Sequence, residues 1–324
     1  MDKRVSMGDV ARIAGVSAQT VSRVVNDSPR VDPATRERVE AAMRQLGYQV
    51  NRTARALRTG RFHTIGVVVS TLATVGNSRM LEAVATSAAA RGFGLTVVRL
   101  RGRDGVADAF DHLREQGVDG AIVVNEATAL ARDVGAPRGM QLVAVDSPLP
   151  APYATVQSDH AGGAAAATAH LLGHGHAAVW HLAGPETSFA AAERERGWSE
   201  TLAAAGVAVP PVVRGDWTAA SGYAAGRGLA ADPAVRAVFA ANDQMALGLI
   251  RALSEAGRSV GSDVHVIGFD DVADAADFLP PLTTVRQDFD ALGEAAVAAL
   301  VSVIEGAPVQ HTVLPTTLIR RASA

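Results

Sequence analysis

Apolar positions along the chain follow two regimes. Between Gly8 and Val39 they recur at i, i+3 and i+4: Val10, Ile13 and Ala14, then Val21, Val24 and Val25, with Gly15 between the two groups. That spacing marks one face of a helix. It predicts two short helices around a tight turn, the helix-turn-helix arrangement whose second helix is offered to the DNA major groove. A third helix follows, with Asp32 as N-cap, Pro33 in its first turn, Val39, Ala42, Met43 and Leu46 on one face and Gly47 as its stop. The next stretch, NRTARALRTGRF from Asn51 to Phe62, is too polar for a core. It is also too short for a lone helix in water, where about 12 to 15 residues are marginal, and reads as a hinge that folds only with partners.

From Thr64 the pattern changes. Short apolar runs, TIGVVVS, FGLTVVRL, VDGAIVV, MQLVAVDS, HAAVWHLAG, PPVVRGDW, RAVFAAND and DVHVIGFDD, alternate with alanine-rich helical stretches. Runs this continuous are buried on both faces, as in parallel sheets covered by helices, and their spacing fits βαβ units. They form two sets with TVQSDHAGG between them, so two doubly wound lobes are expected. Ligands of such sheets sit beyond the carboxyl ends of the strands, which makes the loop residues there the candidates for recognition. The fold class is therefore α/β: an all-α headpiece over 1–50, a hinge over 51–62 and a body over 63–324. The body's N-lobe is expected over about 63–158 and 288–315 and its C-lobe over about 159–287.

Composition narrows the function. The 324 residues are 48% apolar, enough for real cores, and include no cysteine, which excludes disulfides, thiolate metal sites and a cysteine nucleophile. No apolar run approaches the ~20 residues of a membrane span, and MDKRVSMGDV does not resemble a signal peptide, so a cytoplasmic protein is expected. The formal charge of -3 hides an asymmetry. Residues 1–62 carry 12 Lys+Arg against 6 Asp+Glu, and the remainder carries 18 against 27. The first segment suits a polyanion and the body a small or uncharged partner.

Seven collinear segments, DVARIAGVSAQTVSRVVN, TRERVEAAMRQLGY, NRTARAL, GDW, ANDQMALG, VIGFDD and PPLTTVRQDF, resemble the LacI/GalR family of bacterial transcription regulators over essentially the whole chain. The resemblance implies a periplasmic-binding-protein-like body, a small effector between its lobes and a dimer that reads a pseudo-palindromic operator in double-stranded DNA. In the headpiece it implies that Ser17 caps the recognition helix and that Ala18, Gln19, Ser22 and Arg23 face base edges. Gln suits adenine and Arg suits guanine. Thr20, Asn26, Arg30, Thr35, Tyr48 and Asn51 are implied DNA contacts, most of them to phosphates, which fix register without reading sequence. In the hinge, Ala54 approaches the minor groove and Leu57 matches the family leucine that wedges between base pairs. Val50 stands where the family usually has proline.

For the effector, the resemblance implies hydrogen bonds from Asp146, Arg194, Asn242, Asp270 and Gln287 to sugar hydroxyls, with Trp217 and Phe289 covering the apolar face of the ring and Ser70 as a further contact. Asp271 is read as the cap of the helix that follows it. The implied effector is a galactoside or other glycoside that releases the operator of a carbohydrate-utilisation operon. Two other readings stay open: a corepressor-dependent regulator of the purine type and a sugar-binding receptor. A third, a sugar-processing enzyme, would need paired carboxylates across a bond. No phosphate loop or nucleophile elbow is present, so no enzyme and no cofactor are expected. His170, His174 and His176 in HLLGHGH read as a helix end rather than a metal site. The sequence stops soon after TVLPTTLIRR without a leucine-heptad tail, so a homodimer is expected.

Overall fold

The protein is described by a computed structural model over residues 5–25, 28–48, 61–100, 102, 105–131, 140–147 and 152–324. It divides into two compact units, Met1–Phe62 and His63–Ala324.

The first unit holds three helices among its described residues: α1 (Met7–Ala14), α2 (Ala18–Val25) and α3 (Pro33–Leu46). Each start has a local chemical cause. Ser6 and Asp9 form a reciprocal capping box on α1, and the Ser17 hydroxyl accepts the Thr20 N–H at 3.1 Å in the first turn of α2. Asp32 accepts the Thr35 N–H at 2.9 Å on α3, with Pro33 beside it. Gly15 and Gly47 end α1 and α3 in the left-handed conformation, at φ 64° and 61°. Val10, Ala11, Ala14, Val21, Val24, Val39 and Ala42 make the core. Ile13, expected there, is instead 44% exposed, and Ala11 takes its place. At about 100° per residue the buried arc runs through Met7, Val10, Ala14 and Ala11, and Ile13 falls well outside it.

The second unit contains two six-stranded sheets. The first is built from β1 (Thr64–Val69), β2 (Gly94–Arg99), β3 (Gly120–Val124), β4 (Gln141–Val145), β5 (Ala154–Ser158) and β11 (His311–Leu314), in the order β11-β5-β4-β3-β1-β2 and parallel throughout. The second is built from β6 (Trp180–Ala183), β7 (Val213–Arg214), β8 (Ala237–Ala240), β9 (His265–Asp270), β10 (Thr283–Arg286) and β12 (Thr317–Ile319), in the order β12-β10-β9-β8-β6-β7. Only the β10–β12 pair is antiparallel.

Both faces of each sheet are covered. In the N-lobe α4 (Val75–Ala90) and α11 (Phe289–Ile304) cover one face, and α5 (Val106–Glu115) with α6 (Glu126–Ala131) the other. In the C-lobe α9 (Ala219–Ala231) and α10 (Asp243–Glu255) cover one face, and α7 (His160–Gly173) with α8 (Phe189–Ala204) the other. The strands alternate accordingly: Ile65, Val67 and Val69 join one core and Val68 the other.

Three findings refine the expected layout. The strand β5 and the strands β10 to β12 are absent from the eight apolar runs. The segment TVLPTTLIRR is two strands in different sheets, split at Pro315–Thr316. The chain therefore passes between the lobes three times, at 158–160, 286–289 and 314–317.

Candidate functional site

On α2 the buried side chains are Val21 and Val24, while Ala18, Gln19 and Arg23 are exposed and Ser22 is half-buried. Helical geometry puts 18, 22, 19 and 23 on one continuous outward arc, opposite the valines. Ser17 holds the start of that arc, with its hydroxyl 2.9 Å from that of Thr20. Thr35 accepts from Arg38 at 3.1 Å, Tyr48 packs partly into the core, and Arg30 is exposed. α2 thus presents one outward face that carries Gln19, Ser22 and Arg23. Asn26, Asn51, Ala54 and Leu57 lie outside the described residues, as does Val50.

In the second unit a cleft partly open to solvent lies between the lobes. Of the effector candidates, Asp146, Arg194, Trp217, Asn242, Asp270, Gln287 and Phe289 line it. Ser70 does not; it follows β1, and its carbonyl accepts from Arg99 Nε at 3.2 Å. The sequence reading missed Thr74, Gly76, Asn77, Asn125, Glu126 and Ala190, which complete the lining.

Strand ends deliver the polar groups. Asn125 follows β3, Asp146 follows β4 and Asp270 ends β9, and all three adopt positive φ (50°, 48° and 109°). Trp217 does the same at 77°. Side chains rarely tolerate this conformation, and its clustering around one cavity is characteristic of functional sites.

A buried polar chain runs through the cavity wall. Asp146 Oδ1 accepts the Ser158 N–H at 2.9 Å and lies 2.9 Å from His160 Nε2 in an off-axis contact that leaves that nitrogen without an aligned partner. Arg194 donates to His160 Nδ1 from Nε at 3.4 Å and from Nη2 at 3.3 Å. Because a guanidinium can only donate, His160 Nδ1 accepts, and the imidazole proton sits on Nε2 beside Asp146. Arg194 Nη1 donates to the Ala241 carbonyl, and Nη2 lies 3.5 Å from Asp270 Oδ1. Its guanidinium stacks 3.8 Å above the Phe269 ring. Gln287 Nε2 donates to Asp270 at 2.6 Å, while its Oε1 is buried without a partner. Burial pushes the Asp270 pKa up and that of Arg194 down, and the attraction between the pair opposes both shifts.

Asn242 caps α10 through the Met245 N–H at 2.9 Å and donates to the Trp217 carbonyl at 3.0 Å. The indole lies so close over Gly184 that a Cβ there would fall 2.3 Å from the ring. Across the cleft, Trp217 Nε1 donates to Glu126 Oε1 at 3.1 Å. Asp271 caps nothing: the 3-10 helix Ala273–Asp277 starts at Val272 without a side-chain cap. Asp271 instead pairs with Arg286 at 2.6 Å and Arg321 at 2.7 Å, because β9, β10 and the C-terminal segment converge beside it. His170, His174, His176 and His265 gather at the end of α7, where His174 Nδ1 lies 2.9 Å from the His170 carbonyl and His176 Nε2 lies 2.7 Å from His265 Nδ1. Among the described residues no group of histidines or carboxylates is arranged to hold a metal ion, and no helix is long and apolar enough to cross a membrane.

A helix-turn-helix unit and a two-lobed body with an interlobe cavity, carried in one chain, are the architecture of ligand-responsive regulators. Residues 6–51 match the lacI family of bacterial regulatory proteins, and residues 168–324 match a periplasmic binding protein-like domain. The lactose operon repressor of Escherichia coli K12 is 36% identical over 326 residues, covering 98% of this chain and 90% of the relative. The regulator CelR of Thermobifida fusca is 37% identical over 341 residues, covering 99% and 98%. The Lac repressor dimer bound to operator and the anti-inducer ONPF superposes with a TM-score of 0.85 at 35% identity, covering 99% of both chains. The CelR–cellobiose complex gives 0.73 at 34% identity, covering 99% of this chain and 100% of that one. The chain belongs to the lacI family of bacterial regulatory proteins.

Proposed function

We propose that this protein is a cytoplasmic, homodimeric transcriptional repressor of a carbohydrate-utilisation operon. It leaves a pseudo-palindromic operator when a glycoside binds between the lobes. The observation that carries the reading is the cavity wall. Carboxylates, an amide and a guanidinium stand beside Trp217 and Phe289, and the orphaned Gln287 Oε1 supplies an acceptor for a hydroxyl. A sugar presents a ring of hydroxyls around apolar CH faces, which is the complement of that wall. Similarity to the lactose, ribose and CelR regulators supports a sugar.

The headpiece reads the half-site through Ala18, Gln19, Ser22 and Arg23. Thr20, Thr35 and Tyr48 hold the phosphates, together with Asn26 and Asn51, Ser17 caps the recognition helix, and Arg30 is a further DNA contact. Ala54 and Leu57 of the hinge meet the minor groove. The domain limits that go with this reading are 1–50, 51–62 and 63–324.

The test is fluorescence anisotropy of a labelled duplex from the gene's own upstream region at fixed salt, with and without galactosides, glucosides and purines. Release by one sugar is expected. Tighter DNA binding with a purine would move the protein to the corepressor branch. Gln19→Ala and Arg23→Ala should each weaken the specific duplex by about 1–3 kcal/mol and spare a random one, whereas equal losses on both would remove these residues from base reading.

A further inference from the structure

The charge of the interlobe cavity goes further than the class of its ligand. Its lining holds three carboxylates, Glu126, Asp146 and Asp270, against one guanidinium, Arg194. Asp270 offsets Arg194 directly at 3.5 Å. The first turn of α4, whose N-cap Thr74 makes no side-chain cap bond, and the N-termini of α8, α10 and α11, which bring Ala190, Asn242 and Phe289 to the lining, each add a partial positive charge. Among the described residues, Glu126 and Asp146 are the lining carboxylates that no guanidinium pairs.

The guanidinium is also poorly placed to receive an anion. A bidentate clamp needs two parallel free N–H groups, but Nε, Nη2 and one hydrogen of Nη1 already serve His160, Asp270 and Ala241. Glu126 lines the cavity from the N-lobe, half-buried, and holds the indole of Trp217 from across the cleft. Phosphate and carboxylate groups are acceptors only, so against Glu126 they meet like charge and no donor.

We infer that the effector carries neither phosphate nor carboxylate, and that Glu126 is the specificity-determining residue that enforces this by pairing with Trp217 and presenting its remaining acceptor sites to ligand hydroxyls. The inference rests on the reading of this cavity as the effector site.

Two experiments on the full chain test it. The first needs no ligand: quenching of Trp217 fluorescence by iodide and by caesium, isolated by subtracting Trp217→Phe, since Trp180 and Trp198 also emit. Relative to a free tryptophan amide under the same conditions, caesium should quench Trp217 better than iodide in the wild type. Glu126→Gln keeps an acceptor for the indole N–H while removing the charge, and should raise iodide quenching at least twofold. Equal access of the two ions, unchanged by the substitution, overturns the assignment.

The second is calorimetric titration with matched pairs: cellobiose, ribose and ONPG, each against its phosphate ester. A neutral member should bind at least tenfold more tightly than its ester, with Glu126→Gln shrinking that ratio at least threefold. An ester binding as well as its neutral partner, or a ratio unmoved in Glu126→Gln, overturns the assignment. If no member binds while the ion asymmetry holds, the exclusion of anions stands and the sugar reading falls.

Discussion

Both amide hydrogens of Asn242 are engaged, Nδ2 donating to the Trp217 carbonyl at 3.0 Å and to Gln244 at 3.2 Å, while Oδ1 takes the Met245 N–H at 2.9 Å and keeps one lone pair. Asn242 acts on a ligand through the placement of Trp217 as much as by touching it. Asn242→Ala should therefore destabilise the protein by about 1 kcal/mol through loss of the cap and abolish the effector response. Asn242→Ser should keep the cap and most of the stability, yet still lose the response. Denaturant unfolding and operator release measured side by side check this, and a responsive Asn242→Ser would free Trp217 from its anchor.

Gly184→Ala makes a complementary case, because its Cβ would collide with the indole at 2.3 Å. The fold should persist, with an altered near-ultraviolet dichroism of Trp217 and at least tenfold weaker effector binding. Resemblance and strand-end logic made Asp146, Trp217 and Asp270 legible in the sequence. The same logic applied to GAIVV would have reached Asn125 and Glu126, the first polar residues after that run. Asn77 had no such signal, since it sits at the start of a helix and reaches the cavity only through the fold.

At the scale of elements, the helices of the first unit were legible because their causes are local: caps, glycine stops and a short apolar period. The strand β10 was missed because its burial is secured by distant partners. In β10, Thr283 and Thr284 are fully buried, with hydroxyls bonded to the Ala324 carbonyl at 2.9 Å and to Asp243 at 2.6 Å. Burial and the nearby Asp270 hold the Asp243 carboxyl well above its ordinary range. Nothing in the run TTVR announces those partners.

The helices α9 and α10 pack through Gly222 and Gly248, and a Cβ on Gly248 would lie 2.0 Å from the Ala219 carbonyl oxygen. Backbone cannot yield as a side chain can, so Gly248→Ala should cost about 1–3 kcal/mol and lower the melting temperature of the body.

In β6, His181 is fully buried, stacked on Phe239 with ring centroids 4.8 Å apart, its Nδ1 2.9 Å from the Phe239 carbonyl. Burial pushes its pKa down to about 4. Between about 6.5, the unfolded value, and about 4, the unfolded chain binds a proton that the folded one refuses, so stability falls as pH falls through that window. The loss should reach about 3 kcal/mol, and His181→Phe should flatten that part of the pH–stability curve. An unchanged slope in the variant would place the proton elsewhere.

For the molecule as a whole, the three passages between the lobes set what an effector can move. Gln287 and Phe289 lie on the second passage, and Asp146 is tied to the first through Ser158 and His160. A ligand bound to these groups touches the segments that join the lobes. If such a turn is what weakens operator binding, the two equilibria are one linked system. The operator must then weaken effector binding by the same factor by which the effector weakens operator binding, commonly about 5- to 150-fold. Titrating effector into the free protein and into the operator complex at one salt concentration gives the first factor, and anisotropy with saturating effector gives the second. Equality is expected, with Arg194→Ala leaving operator affinity intact and collapsing both factors to one. Unequal factors that change with protein concentration would instead put the loss of DNA binding in dissociation of the dimer, because a step that consumes subunits depends on their concentration and a turn within one molecule does not.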